Sequence, residues 1–227
     1  MRIKYMRYIL SIVLVLFFYH SRVRAQDKMI VDEKGNVSTF YDASKDLKSL
    51  DNLPYQIKRC LDTVLTHSLG NLRHSLIFVN IQVVDLESYF KTNDPSGFQW
   101  IVPKYEFHYY IHDLELGIKR YNLNIRLDQY GQFLAMNWPR NGSSETEELI
   151  DRKIIRKYAL AQATAMGLDT IKYQVEFNYD EKSNKMCWQF NFPDANSKDN
   201  SSFISLLIPW DRLQVAEKFN LRRTVNY

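Results

Sequence analysis

Apolar residues in this chain recur with two different periods, and the period changes at identifiable points. Ile57, Cys60, Leu61, Val64 and Leu65 fall at i, i+3, i+4, i+7 and i+8, one face of a helix. Asp51 is placed to cap it, Pro54 to enter its first turn, and Gly70 to stop it. Beyond Gly70 the period becomes two. Ile77, Val79, Ile81 and Val83 share one face of residues 76–85. Tyr105, Phe107, Tyr109 and Ile111 alternate with Lys104, Glu106, His108 and His112, with Tyr110 between. Tyr121, Leu123, Ile125 and Leu127 alternate with Arg120, Asn122, Asn124 and Arg126. Such alternation predicts antiparallel strands with one wet face. Residues 113–117 and 128–131 read as turns, and 133–136 as a short apolar strand.

The second half repeats the order. Residues 139–144 read as a linker, and Ser144-Glu145-Thr146-Glu147 fits a capping box. The helix it opens would bury Ile150, Ile154, Tyr158, Ala161 and Ala165 and end at Gly167. Ile171, Tyr173, Val175, Phe177 and Tyr179 form one alternating set, and Met186, Trp188, Phe190 and Phe192 another, joined by a turn at 180–185. A polar loop at 193–202, a strand at 203–208 and a terminal helix at 210–219 complete the reading. Helix then strands, twice, predicts an α+β fold of two helix-plus-antiparallel-sheet units, 51–138 and 145–227, after a mobile entry segment at 26–50.

The first 25 residues have a different character. Arg2, Lys4 and Arg7 precede a twelve-residue apolar run, Tyr8 to Tyr19, and Val23-Arg24-Ala25 offers small residues where a signal peptidase reads. A spanning helix needs about 20 apolar residues. Residues 1–25 therefore read as a signal peptide cleaved before Gln26, which predicts export to the periplasm or the extracellular space and no stable membrane span in the mature chain. The leader also changes the charge. The whole chain carries 30 basic and 26 acidic residues, but all five basic residues of the leader go with it, leaving 25 against 26. The pI near 8.9 thus belongs to the precursor, and no basic footprint for nucleic acid remains. Arg152, Lys153, Arg156 and Lys157 follow Glu147, Glu148 and Asp151 at helical spacing, as on a solvated helix face. With only seven glycines among 227 residues, phosphate-cradling loops are not expected.

Candidate chemistry is sparse. His108 and His112 are four apart, which on a helix would bring them within about 6 Å for a shared zinc. On a strand the same spacing gives about 13 Å, and the alternation says strand, so both are read as solvated sheet-face histidines. His67 and His74 flank the end of the first helix, where a cationic side chain suits the dipole. Cys60 and His67, nearly two turns apart, are the one Cys/His pair with an allowed geometry, but Cys60 belongs to the apolar stripe, where thiols are inert. Cys60 and Cys187 either form a disulfide, closing a loop of about 127 residues worth about 4 kcal/mol, or stay as two buried thiols. Walker loops, dinucleotide fingerprints, nucleophile elbows and metal clusters are absent, so no cofactor, metal or catalytic residue is assigned. Asn36, Asn141 and Asn200 each begin an Asn-x-Ser sequon in an expected loop.

The helix followed by antiparallel strands, with the turn Asp128-Gln129-Tyr130-Gly131 before Phe133, resembles small exported PepSY-like domains, here in tandem. Cystatins share the helix-on-sheet layout, and Gln82-Val83-Val84-Asp85 is similar to their Q-x-V-x-G inhibitory segment, with Leu86 in the glycine's place. The resemblance to PepSY-like domains implies an exported, non-catalytic binding module. The reading is therefore a protein that binds another protein, with restraint of a protease or toxin as its most specific form. A small exported hydrolase using His108 or Cys60/His67, and a structural component of the cell envelope, are the alternatives.

Overall fold

The computed structural model describes residues 29–33, 44–92, 102–140, 149–195 and 202–222. It is a mixed α+β structure with few helices and two sheets. The first sheet holds β1 (Val31–Asp32), β2 (Ser44–Leu47), β3 (Leu76–Val84), β4 (Tyr105–Asp113), β5 (Ile118–Leu127) and β6 (Phe133–Met136). Its order is β1-β5-β4-β3-β2, with β6 beside β1 on the same flank of β5. All its pairings are antiparallel except β1 with β5. The second sheet is an antiparallel meander of β7 (Gln174–Asp180), β8 (Lys185–Pro193), β9 (Ser202–Pro209) and β10 (Glu217–Arg222). Helix α1 (Tyr55–Leu69) packs Ile57, Leu61, Leu65 and Leu69 onto the first sheet. Helix α2 (Leu86–Thr92) follows β3, and α3 (Arg152–Ala165) lies against β8 and β9.

Local signals placed most elements within a residue or two, and the departures have physical causes. An extra residue at Val79 bulges β3, so the face changes along the strand. Leu76, Phe78, Ile81 and Val83 pair with core residues of β4, while Ile77 and Val79 are 41% and 37% exposed. Helix α3 begins later than expected, capped by Asp151, whose carboxylate accepts the Lys153 amide at 2.6 Å. The anticipated capping box lies outside the described residues. The buried face of α3 is Ile155, Ala159 and Ala163, while Ile154, Ala161 and Ala165 are exposed. Two alanines one turn apart let the helix backbone sit close on the sheet, which the bulkier expected stripe would prevent. The terminal helix expected at 210–219 is not formed. Trp210 is buried, and Glu217–Arg222 pairs along β9 as an edge strand. Within the segment expected to be mobile, Met29 and Val31 are core residues, and β1 and β2 join the first sheet. Among the described residues no helix is long and apolar enough to cross a membrane.

Core residues of both halves form one continuous cluster, joined through aromatic rings. Tyr121 of β5 contacts Trp138 at 5.7 Å and Phe177 of β7 at 5.8 Å between centroids. Trp138 meets Trp210 edge-on at 5.4 Å, and Phe177 packs on Trp188 at 4.8 Å. Trp138 is fully buried, and its indole N–H donates to the Ser68 carbonyl near the end of α1 at 3.1 Å. One side chain thereby ties α1, the first sheet and the second sheet together. The β4–β5 turn closes the other end of this seam. Gly117, at φ +81°, lies so near the Met29 carbonyl and the Arg152 side chain that a Cβ would stand 2.6 and 2.7 Å from them.

Trp138→Ala should therefore lower stability by about 3–5 kcal/mol, with both sheets lost in one urea transition followed by far-UV circular dichroism and tryptophan fluorescence. Two separate transitions in the unaltered protein would mean that the halves hold independent cores.

Candidate functional site

The first sheet has a second face, and that face is not wet. Glu106 and His108 are 1% and 0% exposed, and Gln82 and Asn122 are buried with them. Strand register arranges these groups in rows. Asp46, Gln82, Glu106, Arg126 and Ala135 lie opposite one another across β2 to β6. Asn80, His108 and Asn124 form the next row. Within the first row, Arg126 donates two N–H groups to Glu106 Oε1 at 3.0 and 3.1 Å. Within the second, His108 Nδ1 lies 2.9 Å from Asn124 Oδ1. Glu106 Oε2 and His108 Nε2 have no hydrogen-bond partner. The Asn137 side chain continues the ladder where β6 ends, donating to the Asn122 carbonyl at 2.8 Å and accepting the Asn124 amide at 2.7 Å. Glu33, beyond β1, accepts the Asn122 amide at 2.9 Å, and burial pushes its carboxyl above the usual range.

Arg126 and Asn124 form part of a groove where the two sheets meet. One section, about 160 Å³, is lined by Asn124, Arg126, Ala135, Met136, Asn137 and Glu181. It adjoins a larger section of about 430 Å³, lined by Ala135, Met136, Arg140, Tyr179, Glu181 and Asn184. The floor is β6 and the far wall is the β7–β8 turn. That turn is built by Asp180, whose carboxylate accepts the Lys182 and Ser183 amides at 3.3 and 3.2 Å, and by Asn184 at φ +52°. Asn184 Oδ1 accepts both the Tyr179 hydroxyl at 2.8 Å and the Arg140 amide at 3.2 Å, so the turn is latched to the chain just past β6. The Arg140 guanidinium stands 5.3 Å above the Phe133 ring. Burial raises the Tyr179 phenol and Arg140 opposes the shift.

The residues singled out from the sequence do not converge on this groove. Cys60 packs on the α1 side of the first sheet, where its sulfur would lie 2.9 Å from a Cβ at Gly131. His108 projects from the opposite face, so these two cannot act together. His67 is exposed in the last turn of α1, and His74 is held by the Asn71 carbonyl. His112 is exposed and bonds the Lys119 carbonyl at 2.7 Å, whereas His108, expected to be solvated, is enclosed. Gln82, the first residue of the cystatin-like segment, is buried within β3 and not at a hairpin tip. Cys60 and Cys187 are free thiols in this structure, Cys60 half-buried and Cys187 buried. Among the described residues no group of three His, Cys, Asp or Glu side chains is arranged to hold a metal ion. The asparagines of the three sequons lie outside the described residues. Of the groove itself, Arg140 and the 180–185 turn read from the sequence as linker and loop, with no signal that they meet.

No family model, no curated protein and no solved structure matches this chain.

Cys187, fully enclosed in β8, carries a testable signature. Burial, with help from Asp180 and Asp211, pushes its thiol from 9.0 up to about 12. An unfolded chain ionises there near 9, so the thiol's contribution to stability is complete below pH 9 and is lost as pH rises toward 12. The loss cannot exceed about 1.4 kcal/mol per pH unit. Cys187→Ala should flatten the decline in urea stability between pH 9 and 10. In the unaltered native protein iodoacetamide should label Cys60 well before Cys187, as read by peptide mass spectrometry.

Proposed function

We propose that this chain is an exported, non-catalytic module that binds another protein, with restraint of a protease or toxin as the specific role to test. The observation that supports this reading is the groove along the seam of the two sheets. It is of ligand-site size, about 430 Å³ in its larger section alone. Its walls are fixed by hydrogen bonds to the side-chain oxygens of Asn184, Asn137 and Asn124. None of Cys60, His67 and His108 lines it. Glu106 and His108 stand behind the groove, bonded to Arg126 and Asn124, and its lining carboxylate, Glu181, has no histidine or cysteine among the lining residues beside it, an arrangement that suits recognition better than turnover. The proposal keeps residues 1–25 as a cleaved leader, and 51–138 and 145–227 as paired units of PepSY-like layout. The packing of α1 on the first sheet and α3 on the second supports that layout.

A hydrolase reading has one observation in its favour, the buried Glu106 Oε2 and His108 Nε2 without partners. Two measurements separate the readings. The protein processed from its full-length precursor is expected to begin at Gln26. Immobilised, it should retain one protein from the exported fraction of its source at near one-to-one ratio, and His67→Ala, at an exposed position that does not line the groove, should leave that capture unchanged. Recovery of no stoichiometric partner, with a hydrolytic activity abolished by His108→Ala, would replace the binding reading by the enzymatic one.

A further inference from the structure

Six strand edges of this fold lack a full partner strand among the described residues, and they are not equivalent: the outer edges of β1, β2, β6, β7 and β10, and the part of β3 beyond β2. β1 carries Asp32, and β2 carries Lys45 and Asp46. β10 carries Glu217, Lys218 and Arg222, and β7 carries Glu176 and Asp180, the charged decoration by which natural sheets discourage edge pairing. β3 runs past the end of β2 from Leu76 to Asn80, but the bulge at Val79 distorts that stretch. β6 is bulged too, at Leu134 between its pairings with Arg126 and Leu127, and what sets it apart is the groove it lines. Its sequence, Phe133-Leu134-Ala135-Met136, has no charge and no proline, and it pairs with β5 alone. It also forms the floor of a groove, with Ala135 and Met136 below and Tyr179, Glu181 and Asn184 opposite.

We propose that the occupant of this groove is an extended peptide segment of the partner protein, which adds to the outer edge of β6 as a strand. The inference rests on the protein-binding reading and names how that binding is made. Main-chain hydrogen bonds to a sheet edge supply affinity irrespective of sequence, and flanking pockets supply specificity. At about 3.3 Å per residue, the four residues of β6 accommodate a segment of four or five residues. The specificity comes from Arg140 and Glu181. They line the same groove with opposite charge and form no ion pair with each other. The Arg140 guanidinium is held over Phe133, at the start of β6, while Glu181 stands in the opposite turn. The segment therefore carries one acidic side chain for Arg140 and one basic side chain for Glu181. Arg126 is not available for this role, because its charge is met by the buried Glu106.

The test uses the processed protein and a set of acetylated, amidated octapeptides of alternating valine and serine. Each carries one aspartate and one lysine, at every spacing and in both orders, and binding is read by fluorescence anisotropy. A subset with one charge order is expected to bind. Methylating alternate backbone nitrogens of the best peptide should weaken it by about tenfold or more, the worth of one or two hydrogen bonds. The doubly substituted Arg140→Glu, Glu181→Arg protein should prefer the reversed charge order while keeping its circular dichroism and urea midpoint. Binding insensitive both to methylation and to the charge exchange overturns the proposal, as does absence of binding to every peptide. A dimer in sedimentation that the double substitution disperses would make a second copy of the chain the occupant and also overturn it. If the captured partner is still retained by the doubly substituted protein, the groove proposal falls while the protein-binding reading stands.

Discussion

Trp138 sits where three packing layers meet, and the remainder of the architecture depends on that contact. Its ring is enclosed between Tyr121 and Trp210, and its N–H is satisfied by the Ser68 carbonyl near the end of α1. A buried indole without a partner would cost 1–3 kcal/mol or so. The bond therefore fixes the ring as well as the helix end. With the ring fixed, Asn137 and Arg140 on either side are fixed too. Asn137 completes the ladder beside β6, and Arg140 latches the β7–β8 turn through Asn184. The groove is thus a consequence of core packing and not of a flexible loop.

The enclosed polar face of the first sheet follows a related logic. Burying Glu106 is tolerable because Arg126 meets it with two charge-assisted hydrogen bonds, and His108 is anchored by Asn124. Each of these partners is also part of the groove wall. The buried acid and imidazole hold the guanidinium and the amide in place, so the face presents oriented donors instead of mobile ones. The second sheet does the same with amides and a hydroxyl. Asn178 donates to Gln189, and Gln189 and Ser205 both donate to Asn191, along the face opposite its aromatic core.

Much of the secondary structure was legible because hydrophobic period is a local property. β4, β5, β6 and the turns at 113–117 and 180–185 lie where the alternation and turn residues put them. Errors arose where two local readings were nearly equal. Ile154 and Ile155 are adjacent, and only close approach to β8 and β9 selects Ile155. Ile77 and Val79 have strand parity with Ile81, and only the bulge against β4 turns them outward. Trp210 to Phe219 has helical spacing, but Trp210 is buried in the core and the last three of these residues, from Glu217, pair with β9 instead.

Local patterning along the chain carries the class of structure: two sheets with helices, a core rich in aromatic residues, and a leader-like start followed by a nearly neutral chain. The enclosure of His108 and Glu106 and the existence of the groove arise only from the packing of distant segments. The reason is distance along the chain. Arg140 and Asn184 are 44 residues apart and Trp138 and Ser68 are 70 apart. No periodicity encodes which distant segments meet; that is settled by burying apolar surface and satisfying buried polar groups over the whole molecule at once.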